Sequence, residues 1–427
     1  MTRSGSTSTG AKSRTKSRTR TAPTRPTPKP TATTPTQTQT AQTLRSALAR
    51  CVEPVEEAAF LAEHWERKPL VVERDEPGRF DDLLTTEDVE GLLESGGLRS
   101  PAFRLVRADV KLRASDYLVD VSWRPVPFKG MADVARVAEA FDSGATLVIQ
   151  GLHHWWPALA TFCRSLEASL GHPAQANAYY TPRSAQGLPV HHDTHDVFCL
   201  QIAGEKRWLV YEPVWELPLK HQRYDKKLGA PGEPVLDVTL QPGDTLYLPR
   251  GWLHEAKTSD SDSLHLTIGA NVHSWLDAFK AALEECADDP DFRRSPQGSP
   301  AELLARLGER LGDDDVRRRM RAKLVRTRRP VLEGQVGHLR ALRDLDLETE
   351  LERRPTVLAD LVVADDRAEL TFEGRTLEFP AHVGDVLDFV LRTDEPFCPA
   401  DLPGSLDDEG RLALVVRLVR EGLLVSR

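Results

Sequence analysis

Apolar positions along the chain change their spacing several times, and the changes divide it into four parts. Residues 1–42 are mostly Thr, Ser, Pro, Arg and Lys. Such a stretch cannot bury enough surface to offset the entropy of ordering it, so a disordered tail is expected there. From Thr43 the spacing becomes helical. Leu44, Leu48 and Val52 share one face, and residues 56–64 form a second helical segment that Pro69 limits. Residues 70–72 suit a strand. Thr85 or Thr86 can cap a helix that runs to Leu93 and stops at Gly96-Gly97. Residues 103–112 and 117–121 are expected to pair as strands, with a helix over 131–141 after them. Residues 145–150 read as a strand, and 155–170 as an amphipathic helix ended by Gly171.

Beyond Gly171 the period shortens to two. Residues 174–180, 197–202, 207–211, 235–240, 245–248 and 264–272 each suit a short strand. Gly204-Glu205 is placed as a tight hairpin between the second and third of these, and Pro242-Gly243-Asp244 as a turn. Many short strands separated by turn residues predict an all-β jelly roll, a double-stranded β-helix, rather than a βαβ layout. Helical spacing returns over 274–286, 300–311 and 316–329. The last segment is rich in arginine and reads as a solvated face paired with acidic neighbours such as 313–315. After about residue 351, short strands and helices alternate in a small helix-and-hairpin module.

Composition sharpens this picture. A chain of 427 residues suggests two or three domains. The formal net charge is -9, but residues 1–42 hold eight Lys or Arg and no acid, so the rest is near -17 (-9 less the tail's +8). An acidic body argues against a general nucleic-acid surface on the folded part, and leaves the basic tail as the one expected place for such contact. Five widely spaced cysteines form no C-x-x-C pair and read as reduced thiols. No apolar run approaches the roughly 20 residues that span a bilayer, and no secretory leader is legible. A cytoplasmic protein with no membrane contact is expected.

The chemistry gathers in a short stretch. His191 and Asp193 are two residues apart, which on a strand puts both side chains on one face. His254 follows the turn-rich segment 242–253. Two imidazoles and a carboxylate make the facial triad of non-haem iron oxygenases, with the opposite metal face open. Zinc also accepts this donor set. His192, His195, His265 and the pair His153-His154 are rival ligands. A 2-oxo dicarboxylic acid beside such a metal needs a cation, and Lys206, alternating with the outward Arg207, is the candidate. Asn177 and Tyr179 share a face of one strand, and Thr267 alternates with His265 on another, so these can supply neutral hydrogen bonds.

Residues 171–180, 191–198, 204–208 and 242–254 together resemble the JmjC-type ribosomal oxygenases, also called the cupin 4 family. The resemblance is close over 44–272 and looser beyond. It implies Fe(II) held by His191, Asp193 and His254, with 2-oxoglutarate and O2 as cosubstrates. It places Lys206 on the distal carboxylate of 2-oxoglutarate, and Asn177, Tyr179 and Thr267 around the cosubstrate. Some members carry a serine two residues past that threonine, where this chain has Gly269. It further implies a ribosomal protein substrate, hydroxylated on a histidine or arginine with release of succinate and CO2, and a homodimer. The corresponding division is a catalytic JmjC/cupin domain over 43–272, a helical dimerisation domain over 273–350 and a winged-helix domain over 351–427. A catalytically silent binding module and a methyl-lysine demethylase are the alternative readings.

Overall fold

β-branched and aromatic residues concentrate between residues 70 and 270, and there the chain builds two main sheets and a small two-stranded one, β3-β4. The structure is a computed structural model that describes residues 46–122 and 126–427; the tail expected over 1–42 lies outside them. The strands are β1 (Leu70–Val72), β2 (Phe103–Val106), β3 (Leu118–Val121), β4 (Phe128–Ala132), β5 (Thr146–Ile149), β6 (Ala174–Thr181), β7 (Asp196–Ala203), β8 (Lys206–Tyr211), β9 (Leu236–Leu240), β10 (Thr245–Leu248), β11 (Leu253–Lys257) and β12 (Ser263–Ala270). The larger sheet has the order β1-β10-β7-β12-β6-β5-β2 and the smaller β11-β8-β9.

Alternation sorts the side chains of the larger sheet into two faces. Ala176 and Ala178 of β6 join Leu264, Leu266 and Ile268 of β12 in a core shared with the helices Ala47–Val52, Glu57–Glu63 and Pro157–Leu170. The opposite face gives Val197, Cys199, Leu246 and Leu248 to a second core, completed by Trp208, Val210 and Leu240 of the smaller sheet. Helices thus cover one side of the larger sheet and the smaller sheet covers the other. The core is a mixed α/β one, where the alternation alone predicted all-β.

Two expected pairings differ. Residues 103–106 pair with 146–149, and 118–121 pair with 128–132, not with each other. The register places buried Phe103 and Leu105 against Ile149 and Leu147, which local alternation could not foresee. Residues 131–132 therefore end β4, and the helix starts only at Val134 behind its Asp133 cap. Likewise Gly204-Glu205 does not close a hairpin. β7 belongs to the larger sheet and β8 to the smaller, so this turn carries the chain from one sheet to the other.

Four helices follow β12: Trp275–Glu285, Ala301–Glu309, Asp313–Thr327 and Gln335–Ala341. The arginine-rich one is tied down by ion pairs, Arg318 to Asp315, Arg319 to Glu285 and Lys323 to Asp277. The C-terminal part has its own core, in which the strands Ala359–Val363, Arg367–Phe372 and Arg375–Pro380 pack on the helices Gly384–Arg392 and Asp408–Glu421. Among the described residues no helix is long and apolar enough to cross a membrane, and all five cysteines are free.

Gly204 makes the crossing between sheets possible. Its φ is +60°, and an added Cβ would overlap the carbonyl oxygen of Asp262, with the carbonyl carbon 2.9 Å away. Left-handed backbone costs a non-glycine residue about 1–2 kcal/mol before any overlap is counted. Gly204→Ala is expected to lower stability by about 2 kcal/mol or more, read from the urea midpoint. A change below about 0.5 kcal/mol, the size of an ordinary surface substitution, would show that this turn is not under such a constraint.

Candidate metal centre

The site forms where the approach to β7 meets β11. The His191 N–H donates to the His254 carbonyl at 3.1 Å, and the His254 N–H donates back to the His191 carbonyl at 2.8 Å. This isolated antiparallel bridge sets the two imidazoles 4.4 Å apart between ring centroids. His191 and Asp193 thus lie in the extended segment just before β7, not on a regular strand, and His254 lies on β11, a strand not foreseen. The turn ahead of β11 is fixed by Gly251 (φ +93°), whose N–H donates to the Asp193 carbonyl at 3.0 Å. Beside it Arg250 pairs with buried Asp196 at 2.8 Å, and the Tyr247 hydroxyl donates to the same carboxylate at 2.8 Å.

Each ring is held by one device. His191 Nδ1 lies 2.8 Å from the carbonyl of Pro189, and His254 Nδ1 lies 3.0 Å from that of Trp252. A carbonyl only accepts, so each Nδ1 carries a proton and each Nε2 is the nitrogen left for a metal. One donor atom from each of His191, Asp193 and His254 lies within 4.8 Å of the other two. Burial, and then the neighbouring His191, pushes His254 down to about 4, so it is neutral at physiological pH. Burial raises the Asp193 carboxyl, but His195, His254 and His191 outweigh it and hold the group below the usual carboxylate range. Two imidazoles and one carboxylate, each ring oriented by a hydrogen bond at its other nitrogen, fit a divalent transition metal.

A pocket continues from the triad, lined by Tyr179, Thr181, Lys206, Trp208, His265 and Thr267 among others. Lys206 is 4% exposed. Its Nζ donates to the Thr181 hydroxyl at 2.8 Å, and among the described residues no carboxylate pairs with it. Burial pushes its pKa down to about 7. Tyr179 stacks on His265 with ring centroids 5.0 Å apart, and burial followed by the Asp193 charge pushes its phenol up to about 12. Asn177 shares the face of Tyr179, but its Oδ1 accepts from the Gly151 N–H at 3.0 Å and it does not line the pocket.

The rival histidines lie outside the cluster of three donor atoms. His192 Nε2 donates to the Gln222 carbonyl at 2.9 Å, and His153 Nδ1 accepts from the Ala176 N–H at 3.1 Å. His265 stacks as described, and His195 bonds Gln175 at 3.1 Å. Thr181 and Trp208 were not singled out from the sequence. Both were within reach of it: Thr181 is two residues beyond Tyr179 on β6, and Trp208 two beyond Lys206 on β8, so alternation puts each on the same face.

The architecture and the triad are those of a JmjC-domain protein, and a family model described as JmjC domain matches residues 154–278. Ribosomal oxygenase 2 of Rattus norvegicus is 30% identical over 383 residues, which cover 86% of this chain and 69% of the relative. Ribosomal oxygenase 1 of Gallus gallus is 33% identical over 269 residues, 60% of this chain. The chain spans only 42% of that protein's length. The structure of the Escherichia coli ribosomal oxygenase YcfD in complex with cobalt and 2-oxoglutarate superposes with a TM-score of 0.51 at 18% identity, covering 87% of this chain and 98% of that one. The chain belongs to the ribosomal oxygenase family.

The Lys206 ammonium gives a signature in stability. Its ordinary pKa of 10.5 falls to about 7 in the fold. Below about pH 7 both folded and unfolded chains carry the charge, and the fold bears the full cost of burying it. Between about 7 and 10.5 the unfolded chain binds more protons, so this group makes stability rise with pH. Lys206→Met is therefore expected to stabilise the protein at pH 6 by on the order of 1–4 kcal/mol, with the gain shrinking by pH 9. Urea midpoints at the two pH values test this, and an equal gain at both would contradict it.

Proposed function

We propose that this chain is an Fe(II)- and 2-oxoglutarate-dependent dioxygenase that hydroxylates a histidine or arginine side-chain carbon of a ribosomal protein. The observation that carries the reading is the juxtaposition in one pocket of a two-histidine, one-carboxylate cluster and a buried lysine that has no carboxylate partner among the described residues. The cluster suits a metal and the lysine suits an organic anion, so together they fit a metal-binding oxo acid. Iron(II), 2-oxoglutarate and dioxygen supply the oxidising power that inserts oxygen into an unactivated C–H bond, with succinate and CO2 released.

The protein's own residues bind, orient and exclude water. His191, Asp193 and His254 hold the metal. Lys206 and Thr181 receive the distal carboxylate, and that charge draws a proton back onto Lys206. Tyr179 and Thr267 line the cosubstrate and Asn177 supports them from the same strand face. Trp208 and Leu188 keep the interior apolar, which strengthens every charge interaction within it. No side chain is needed as a base for C–H cleavage.

The rest of the chain supports a wider reading. The two sheets close as a double-stranded β-helix over 43–272, residues 273–350 form a dimerisation domain and residues 351–427 a winged-helix domain. Trp275, Phe279 and Leu283 lie at successive helical turns and are 63%, 43% and 51% exposed, an apolar stripe suited to a second copy of the chain. The absence of a membrane-crossing helix among the described residues is compatible with a cytoplasmic enzyme.

His191→Ala, Asp193→Ala and Lys206→Ala proteins should each form succinate from 2-oxoglutarate about 100-fold or more slowly than wild type. Turnover equal to wild type in all three would overturn the assignment. Replacing Phe279 and Leu283 together by Asp should convert a dimer into a monomer by light scattering. An unchanged mass would exclude this stripe as the interface.

A further inference from the structure

The pocket that holds the triad runs along β8. Val210 pairs with His254 and Arg207 with Lys257, so Lys206 lies about 13 Å of strand away from the position facing His254. Three polar side chains meet at that far end. Thr146, Thr181 and Lys206 all line the pocket, and each is at least nineteen-twentieths buried. Thr146 belongs to β5, a strand that carries none of the metal ligands. The register sets Leu147 against Tyr180 and Val148 against Tyr179, which brings Thr146 beside Thr181. Leu147 and Ile149 join the helix-side core, so alternation turns Thr146 the other way, into the pocket.

The hydrogen bonds at this end have a fixed sense. The Thr146 hydroxyl donates to Thr181 Oγ1 at 3.1 Å, and Lys206 Nζ donates to the same oxygen at 2.8 Å. A hydroxyl oxygen has two lone pairs and one proton. Both lone pairs of Thr181 are taken, and only its proton remains to be given. Among the described residues that proton has no acceptor. Thr146 is itself held in place from the loop ahead of His191. A Cβ added to Gly187 would stand 2.5 Å from Thr146 Oγ1 and 2.9 Å from Thr146 Cβ. The backbone of Gly187 is not left-handed, so the close approach alone demands glycine there.

We propose that Thr146, pressed into place by Gly187, is a positioning residue for the organic anion bound at Lys206. By donating to Thr181 it obliges the Thr181 hydroxyl to donate in turn, so the distal carboxylate of 2-oxoglutarate receives an O–H beside the ammonium. The inference rests on the oxygenase reading above and deepens it. A chain end that is a carboxylate accepts both donors, whereas a methyl end accepts neither and strands them in a buried place. The Thr146–Thr181 pair therefore adds to the selection of a dicarboxylic oxo acid over its monocarboxylic counterpart.

The test uses the full chain loaded with manganese(II) in place of iron(II), so that binding is measured without turnover. Calorimetric titration gives the Kd of 2-oxoglutarate and of 2-oxopentanoate, the same chain ending in a methyl group. Thr146→Val, which keeps the shape and removes the hydroxyl, is expected to weaken 2-oxoglutarate about tenfold, the size of one lost hydrogen bond, and to narrow the preference over 2-oxopentanoate by the same factor. Thr146→Ser, which restores the hydroxyl, should recover most of that loss, and Gly187→Ala should share it by crowding Thr146. With iron(II), the loss in Thr146→Val should appear in the KM for 2-oxoglutarate rather than in kcat. A lower Tm with wild-type affinity for 2-oxoglutarate, or an equal loss for both acids, would overturn the positioning role and leave the oxygenase reading intact. A wild-type protein that binds no 2-oxoglutarate overturns the oxygenase reading, and this inference with it.

Discussion

Two backbone hydrogen bonds, exchanged between His191 and His254, are the constraint on which the site depends. They join the approach to β7 in one sheet to β11 in the other, at the point where those sheets face one another. Because the bond is between backbones, it fixes both Cα positions without using either ring. Each imidazole is then free to spend Nδ1 on a carbonyl two residues earlier in its own chain and to aim Nε2 into the pocket. Asp193 joins the same arrangement through its carbonyl, which accepts from Gly251 in the turn that launches β11. Orientation is thus supplied by main chain, which cannot rotate away. The protein can hold three donor atoms together although two imidazoles and a carboxylate gain little from one another.

A buried lysine beside this cluster works against the fold, and that is informative. An ammonium group in an apolar pocket is destabilising unless something pairs with it. Here the ammonium donates to a hydroxyl, and among the described residues no carboxylate pairs with it. The arrangement becomes favourable only when an anion enters. Lys206 is reached at the start of β8, immediately after the Gly204 crossing, so the turn that transfers the chain between sheets also delivers the cation to the closed end of the pocket. The same strand alternation that turns Lys206 inward leaves Arg207 outside, paired with Asp237 at 2.6 Å.

Much of this was legible in the residues themselves. The period-two runs marked all the strands that carry the pocket except β11, and His191, Asp193 and His254 stood out from several rival histidines as the favoured metal-ligand set. What escaped had physical causes. β11 is short and reads Leu-His-Glu-Ala-Lys, without β-branched residues; it exists because its backbone pairs with β8 and its own propensity would not predict it. The partner of β2 lies some forty residues away, and local patterning is blind to such a choice. The Gly204 turn resembled a hairpin because a hairpin and a sheet-to-sheet crossing need the same left-handed glycine. Gly269 registered only as a missing hydroxyl. Its consequence, a vacant volume that His195 fills, depends on two strands meeting and cannot be read along one.

The C-terminal part is bound to this site by charge as well as by packing. Arg164 and Glu167 on the helix Pro157–Leu170 meet Arg328, just beyond the helix Asp313–Thr327, and Glu373 at the tip between two C-terminal strands. Arg164 pairs with Glu167 at 2.7 Å, and Arg328 approaches Glu167 at 3.0 Å and Glu373 at 3.5 Å. All four are nearly buried, and their charges balance. Such a network adds little net stability over an apolar contact of the same size, because desolvation offsets most of the attraction. What it adds is geometry, since each charge tolerates only positions that keep its partners in reach. Glu167 also accepts from the N–H of Ala174, the first residue of β6. The strand that carries Gln175, Asn177, Tyr179 and Thr181 therefore begins from an anchor that the C-terminal part helps to hold.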